Sequence, residues 1–109
     1  MSQEPYEIEF YVQKNGKIPF QDWLQSLDPK THNRIMVRLD RVQLGNFGDH
    51  KTVGRGVSEL RFLFGSGYRV YYGINQGKLV LLLTGGDKKS QNKDIDRAQE
   101  HWNLYLKEI

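Results

Sequence analysis

The stretch GVSELRFLFGSGYRVYYG, residues 56–73, decides how the rest of the chain is read. From Val57 to Phe64 the residues alternate, with Leu60, Phe62 and Phe64 on one side and Glu59 and Arg61 on the other. That is the period-two pattern of a strand with one apolar and one charged face. Gly65-Ser66-Gly67 is a tight-turn signal and a second strand-like run follows it, so Val57–Ile74 predicts an antiparallel hairpin. With the three turn residues between paired Phe64 and Tyr68, Val70 faces Phe62 and Tyr72 faces Leu60 on the core side. Arg61, Arg69 and Tyr71 then share the opposite side.

Downstream, Asn75-Gln76-Gly77 predicts a second turn into Lys78–Thr84, whose unbroken apolar run suits a central strand buried on both faces. Periodicity alone also allows a buried helix there; the short length and flanking glycines favour the strand. Ser90 or Asn92 then caps a helix that carries Asp94 and Asp96 in its first turn, with Ile95, Ala98, Trp102 and Tyr105 or Leu106 as its apolar stripe. Upstream, Glu7–Val12 alternates as a first strand. Pro19, Phe20, Trp23, Leu24 and Leu27 have the spacing of a short amphipathic helix. Asp28-Pro29 caps and opens a second helix reaching about Leu44, with Ile35, Met36, Leu39 and Val42 inward and Gly45 as its stop. Asn46–Gly56 reads as loop. The order is βααβββα, an α+β fold in one domain over residues 1–109: an antiparallel meander with helices on one face and an open basic face.

Composition narrows the chemistry. The absence of cysteine excludes disulfides, thiolate metal sites and cysteine nucleophiles. His32, His50 and His101 lie in separate segments without ligand spacing, so they read as surface residues and no metal or other cofactor is expected. No P-loop, dinucleotide fingerprint or nucleophile elbow is present. Neither a signal peptide nor a membrane-length apolar run appears, which makes the cytoplasm the expected location and a membrane partner unexpected. Residues 51–93 hold eight Lys/Arg against Glu59 and Asp87, whereas the whole chain nets only +3. That concentration suits a surface facing a polyanion; a solvated sheet face is the plain alternative.

RNA is cut without metal when its own 2′-hydroxyl attacks the neighbouring phosphate, which calls for fixed cations and groups that move protons. Arg69 and Arg61, on one predicted face, are the candidate phosphate binders, because a guanidinium fork engages two phosphate oxygens. Lys88 and Lys89, at the exit of the central strand, are candidates for charge and proton transfer. Glu59 reads as a general base or, more simply, an ion-pair partner for either arginine, and Tyr71 as a base-stacking or proton-donating group. Lys51, Arg55 and Lys93 extend the basic surface as RNA-binding candidates. Arg34, Arg38 and Arg41 form a basic stripe on the second helix, a solvated face or a surface for an acidic partner.

The ELR strand, the G-x-G-Y-R-V-Y turn and strand, and the run LLLTGGDKKSQNKDIDRAQEHW (residues 81–102) resemble, in order, the HigB-like killer proteins of the RelE/ParE toxin superfamily. Over the first 55 residues the likeness is looser, resting on F-Y-V and P-F-x-x-W-L. The resemblance implies an addiction-module toxin that cleaves messenger RNA, often on the translating ribosome. It implies a partner antitoxin, commonly a helix-turn-helix DNA-binding protein. Arg69 matches an arginine that contacts the scissile phosphate in ribonuclease members; Arg61 and Lys88 or Lys89 match further basic positions. Gyrase poisons share the fold, and a non-catalytic nucleic-acid-binding module is a third reading.

Overall fold

The structure, a computed structural model, describes residues 4–109. Its elements are β1 (Glu7–Phe10), α1 (Pro19–Gln25), α2 (Pro29–Gln43), β2 (His50–Gly54), β3 (Val57–Arg61), β4 (Arg69–Asn75), β5 (Leu79–Gly86) and α3 (Gln91–Glu108). They form a mixed α+β fold around one five-stranded sheet of order β1-β5-β4-β3-β2.

The helices start where the sequence places them. Pro19 and Pro29 occupy first-turn positions, where the missing N–H costs nothing. Asp28 accepts from the Thr31 N–H at 3.2 Å and the Thr31 hydroxyl at 2.6 Å, bonds that hold its carboxyl below the usual range. Phe20, Leu24, Ile35, Leu39 and Val42 pack α1 and α2 on the sheet face formed by Leu60, Phe62, Val70, Tyr72, Val80 and Leu82.

Three expectations are corrected here. The sheet is not a pure meander, because β1 pairs with β5 in parallel while every other pairing is antiparallel. The segment expected as loop at 46–56 contains β2, an edge strand exposed along most of its length and turned into β3 through Arg55 and Gly56, both at positive φ. Most consequential, the second face is not open. There α3 lays Ala98 and Trp102 on Val57, Tyr71, Leu81 and Leu83, forming a second apolar core. Burial from both sides explains why β5 is apolar without alternation.

The hairpin register also differs from expectation. The Phe62 N–H donates to the Tyr68 carbonyl at 3.0 Å, and the pairs are Leu60 with Val70 and Arg61 with Arg69. The connection is therefore longer than Gly65–Gly67, and pairing is offset by two residues. Because side chains alternate with period two, an even offset leaves each residue on its expected face.

Glycines in the sheet seat the aromatic rings of the helices. A Cβ at Gly73 would stand 2.5 Å from the Trp102 ring, and one at Gly85 would enter the Trp23 ring. His101, expected at the surface, is buried against the Tyr11 ring at 5.0 Å between centroids, and neither ring nitrogen has a hydrogen-bond partner among the described residues.

Gly85→Ala should destabilise the fold by about 1–3 kcal/mol by overpacking against Trp23, seen as a lower urea midpoint at unchanged slope. Burial lowers the His101 pKa from its ordinary 6.5. The unfolded chain therefore binds the proton first, and stability is lost as pH falls below that value toward the folded pKa. His101→Phe should flatten the pH dependence of the urea midpoint in that window; an unchanged profile would contradict it.

Candidate functional site

Pairing Arg61 of β3 directly with Arg69 of β4 sets two arginine side chains on the same face of neighbouring strands, a repulsive arrangement unless each is neutralised. Each has its own carboxylate. Arg61 donates from Nε and Nη2 to Asp49 Oδ1 at 3.1 and 2.8 Å, in a pair whose side chains are each 38% exposed. This contact raises the Arg61 pKa and lowers that of Asp49. Arg69 lies deeper, its Nε 3.5 Å from Oε2 of Glu59, which is 1% exposed. The Arg69 Nη1 donates to the Gly67 carbonyl at 2.7 Å.

Above Glu59 sits the first turn of α3. Gln91 donates from Nε2 to both Glu59 carboxylate oxygens, at 3.3 and 3.5 Å. Asp87 Oδ1 accepts the N–H groups of Lys89 and Ser90 at 3.0 and 3.1 Å, a turn that launches the helix, and the Ser90 hydroxyl donates to buried Asp94 at 2.5 Å. The loop before α3 is tied to the β3–β4 connection by the Lys88 N–H, which donates to the Ser66 carbonyl at 3.2 Å.

Together these ties place Arg61, Arg69 and Lys88 around one surface depression of about 700 Å³, whose wall includes Leu63 and Ser66. Gly67, at φ +74°, permits the approach: a Cβ there would lie 3.2 Å from Lys88 Cβ and 3.3 Å from Arg69 Nη1. The depression offers three cations from three separate segments, an arrangement able to bind a phosphate and stabilise charge developing on it. Among the described residues no group of three or more His, Asp or Glu side chains is arranged to hold a metal ion.

The other expected site residues fall elsewhere. Lys89 is exposed but does not line the depression. Lys51 sits on edge strand β2, Arg55 in the β2–β3 turn and Lys93 on α3, all exposed and outside it. Glu59 and Tyr71, expected on an open face, lie beneath α3 and reach no solvent-facing surface. Tyr71 is fully buried, its hydroxyl lacks a hydrogen-bond partner among the described residues, and burial with the neighbouring Glu59 carboxylate pushes its pKa up. Base stacking by Tyr71 is therefore ruled out in this conformation.

Four contributors escaped the sequence reading: Asp49, Gln91, Asp94 and Gly67. Gly67 had a signal in the Gly-Ser-Gly turn; Asp49 sits in a segment read as loop, and Gln91 and Asp94 look like ordinary surface residues of a helix start.

Comparison with known proteins locates the chain. It is 45% identical over 89 residues to a Haemophilus influenzae protein named only "Uncharacterized protein", a match covering 81% of this chain and 90% of that one. Residues 22–103, which include every residue of the depression, match the family described as Phage derived protein Gp49-like (DUF891). The chain belongs to this Gp49-like family.

Proposed function

We propose that the protein is the toxin of a toxin–antitoxin pair, an endoribonuclease that cuts messenger RNA on the translating ribosome and so inhibits translation. Membership of the Gp49-like family, which is associated with such addiction-module toxins, supports the toxin reading. The observation that carries the cleavage reading is the convergence of Arg61, Arg69 and Lys88 on one depression.

In this mechanism the two guanidinium groups bind the non-bridging oxygens of the scissile phosphate and align it with the 2′-hydroxyl of the preceding ribose. The hydroxyl gives its proton to a solvent water as its oxygen bonds phosphorus. The bond from phosphorus to the 5′-oxygen breaks, leaving a 2′,3′-cyclic phosphate and a 5′-hydroxyl. Charge accumulating on the phosphoryl oxygens is met by fixed cations whose partners, Glu59 and Gly67 for Arg69, already hold them in place. The Lys88 ammonium contributes further positive charge and supplies a proton to the departing oxygen. Glu59 acts by orienting Arg69, since a carboxylate sealed under α3 has no route to a substrate proton. The antitoxin, a helix-turn-helix DNA-binding protein in this reading, holds the toxin silent until it is lost.

Primer-extension mapping of transcripts after brief induction tests the reading. Wild type should cut inside translated regions, and Arg69→Ala should reduce cutting by about 100- to 1000-fold. Arg69→Lys should not restore it, because an ammonium lacks the planar fork. Intact RNA accompanied by protein-linked DNA breaks would replace this reading with gyrase poisoning, and neither effect would leave a binding module. Within the cleavage reading, Lys88→Ala should slow cutting while Lys89→Ala stays near wild type. The reverse order would move the proton donor to Lys89.

A further inference from the structure

A second concavity, a groove of about 610 Å³ between α2 and the β3–β4 connection, runs into the cation depression; the two share Asp49, Arg61, Phe62 and Leu63. Its lining is mainly apolar. Leu63 is 93% exposed and Val37, on the facing side of α2, is 50% exposed, so two aliphatic side chains stand in water across a groove from one another.

The rim is basic. Lys30, Arg34 and Arg41 line the groove from three turns of α2. Asp49, the one carboxylate lining it, is already bound to Arg61. Arg38 is committed to the fold: it donates to the carbonyls of Phe47, Asp49 and Arg61 at 2.7–3.2 Å. Those bonds also engage the Asp49 and Arg61 carbonyls beside the groove, acceptors that an added β-strand would use.

The aromatic rings argue against a nucleic-acid strand as occupant. The Arg34 guanidinium lies 4.4 Å from the Phe64 centroid and that of Arg38 4.7 Å from the Phe62 centroid. The two rings also pack edge to face on each other, and Phe64 contacts Tyr68. With guanidinium groups and neighbouring rings against them, they offer no stacking platform of the kind single-stranded RNA uses. Aliphatic side chains in water beside surface cations that have no carboxylate partner among the described residues fit a different ligand, one with apolar residues along one face and carboxylates along its flanks.

We propose that this groove is the docking site for an acidic amphipathic helix of a partner protein. Its aliphatic stripe packs on Val37 and Leu63, and its carboxylates meet Lys30, Arg34 and Arg41. Because the groove opens into the depression, the docked helix covers Arg61 and the connection leading to Arg69. This consequence for cleavage rests on the nuclease reading; the docking itself does not.

The probe is a synthetic helix of about 20 residues with Leu at i, i+3, i+4 and i+7 spacing and Glu on the flanks, titrated into the full-length protein while the Val37 and Leu63 methyl resonances are followed. The acidic peptide should shift both methyls. Val37→Asp and Arg41→Glu, both at exposed positions, should each weaken binding by about tenfold or more, and a peptide with Lys in place of Glu should not bind. Equal binding of both peptides, binding that survives both substitutions, or methyl shifts produced by an oligouridylate and not by the acidic peptide would overturn the proposal. Saturating peptide should also stop RNA cleavage by the wild type; persistent cleavage with the methyls shifted would refute the covering step. If the protein cleaves no RNA even without peptide, the nuclease reading fails while the methyl shifts still decide the groove.

Discussion

A carboxylate sealed between a sheet and a helix is tolerated only if its charge is matched, and Glu59 is that carboxylate. Removing it from water costs several kcal/mol unless charged and hydrogen-bonding partners compensate. Here the partners are Arg69 from the neighbouring strand and Gln91 from α3. One buried charge therefore binds together a strand, a helix start and the guanidinium at the centre of the candidate site. Loss of Arg69 would leave an uncompensated buried charge, a change of about 3–5 kcal/mol in comparable buried pairs, whereas loss of Gln91 would remove only a neutral donor. The site and the fold share this constraint.

The helix that seals Glu59 depends in turn on a close approach to the sheet. Trp102 reaches the sheet because Gly73 has no side chain, and Asp94 packs where a Cβ on Gly86 would collide with its carboxylate. On the opposite face, Trp23 of α1 lies over Gly85 in the same way. Adjacent strands thus alternate glycine under indole on one face with glycine under indole on the other. β4 and β5 are held from both sides, with a bulge between Tyr71 and Tyr72 that shifts their pairing before Arg69 is reached. The end of β4 that carries Arg69 is consequently anchored by packing next to it, because Arg69 pairs with Gly86 and Val70 with Gly85.

Much of this was legible in the sequence. The Pro19 and Asp28-Pro29 helix starts, the β3–β4 hairpin and the doubly buried β5 all announced themselves through caps, turn residues and periodicity. What was hidden has identifiable causes. β2 is a polar edge strand with almost no buried face, so no alternation marks it. The parallel pairing of β1 with β5 joins residues some 70 positions apart, which no local period encodes. The cover formed by α3 was missed because the strand face beneath it is charged, through Glu59, Arg61 and Arg69, and a charged face reads as solvated. Of the cation cluster, Arg61, Arg69 and Lys88 could be named from the sequence, and Glu59 as an ion-pair partner, whereas Asp49, which pairs with Arg61, and Gln91, which donates to Glu59, become relevant only in three dimensions.

The two arginines of the depression are held differently, and that difference bears on how an anion would be received. Arg69 is fixed by a buried carboxylate and a backbone carbonyl, leaving it little freedom to move. Arg61 is held by Asp49 in an exposed pair, where solvent and salt compete and the attachment is weak. A phosphate entering the depression meets one cation already in position and another whose present partner can be exchanged. Exchanging Asp49 for phosphate leaves Arg61 charged and paired throughout, so that its guanidinium never stands alone beside Arg69. The repulsion built into the Arg61–Arg69 register is thereby relieved in the free protein by carboxylates and in the complex by the ligand. An arrangement of like charges that would be a defect in an ordinary hairpin is, under the proposed function, what suits the depression to an anion.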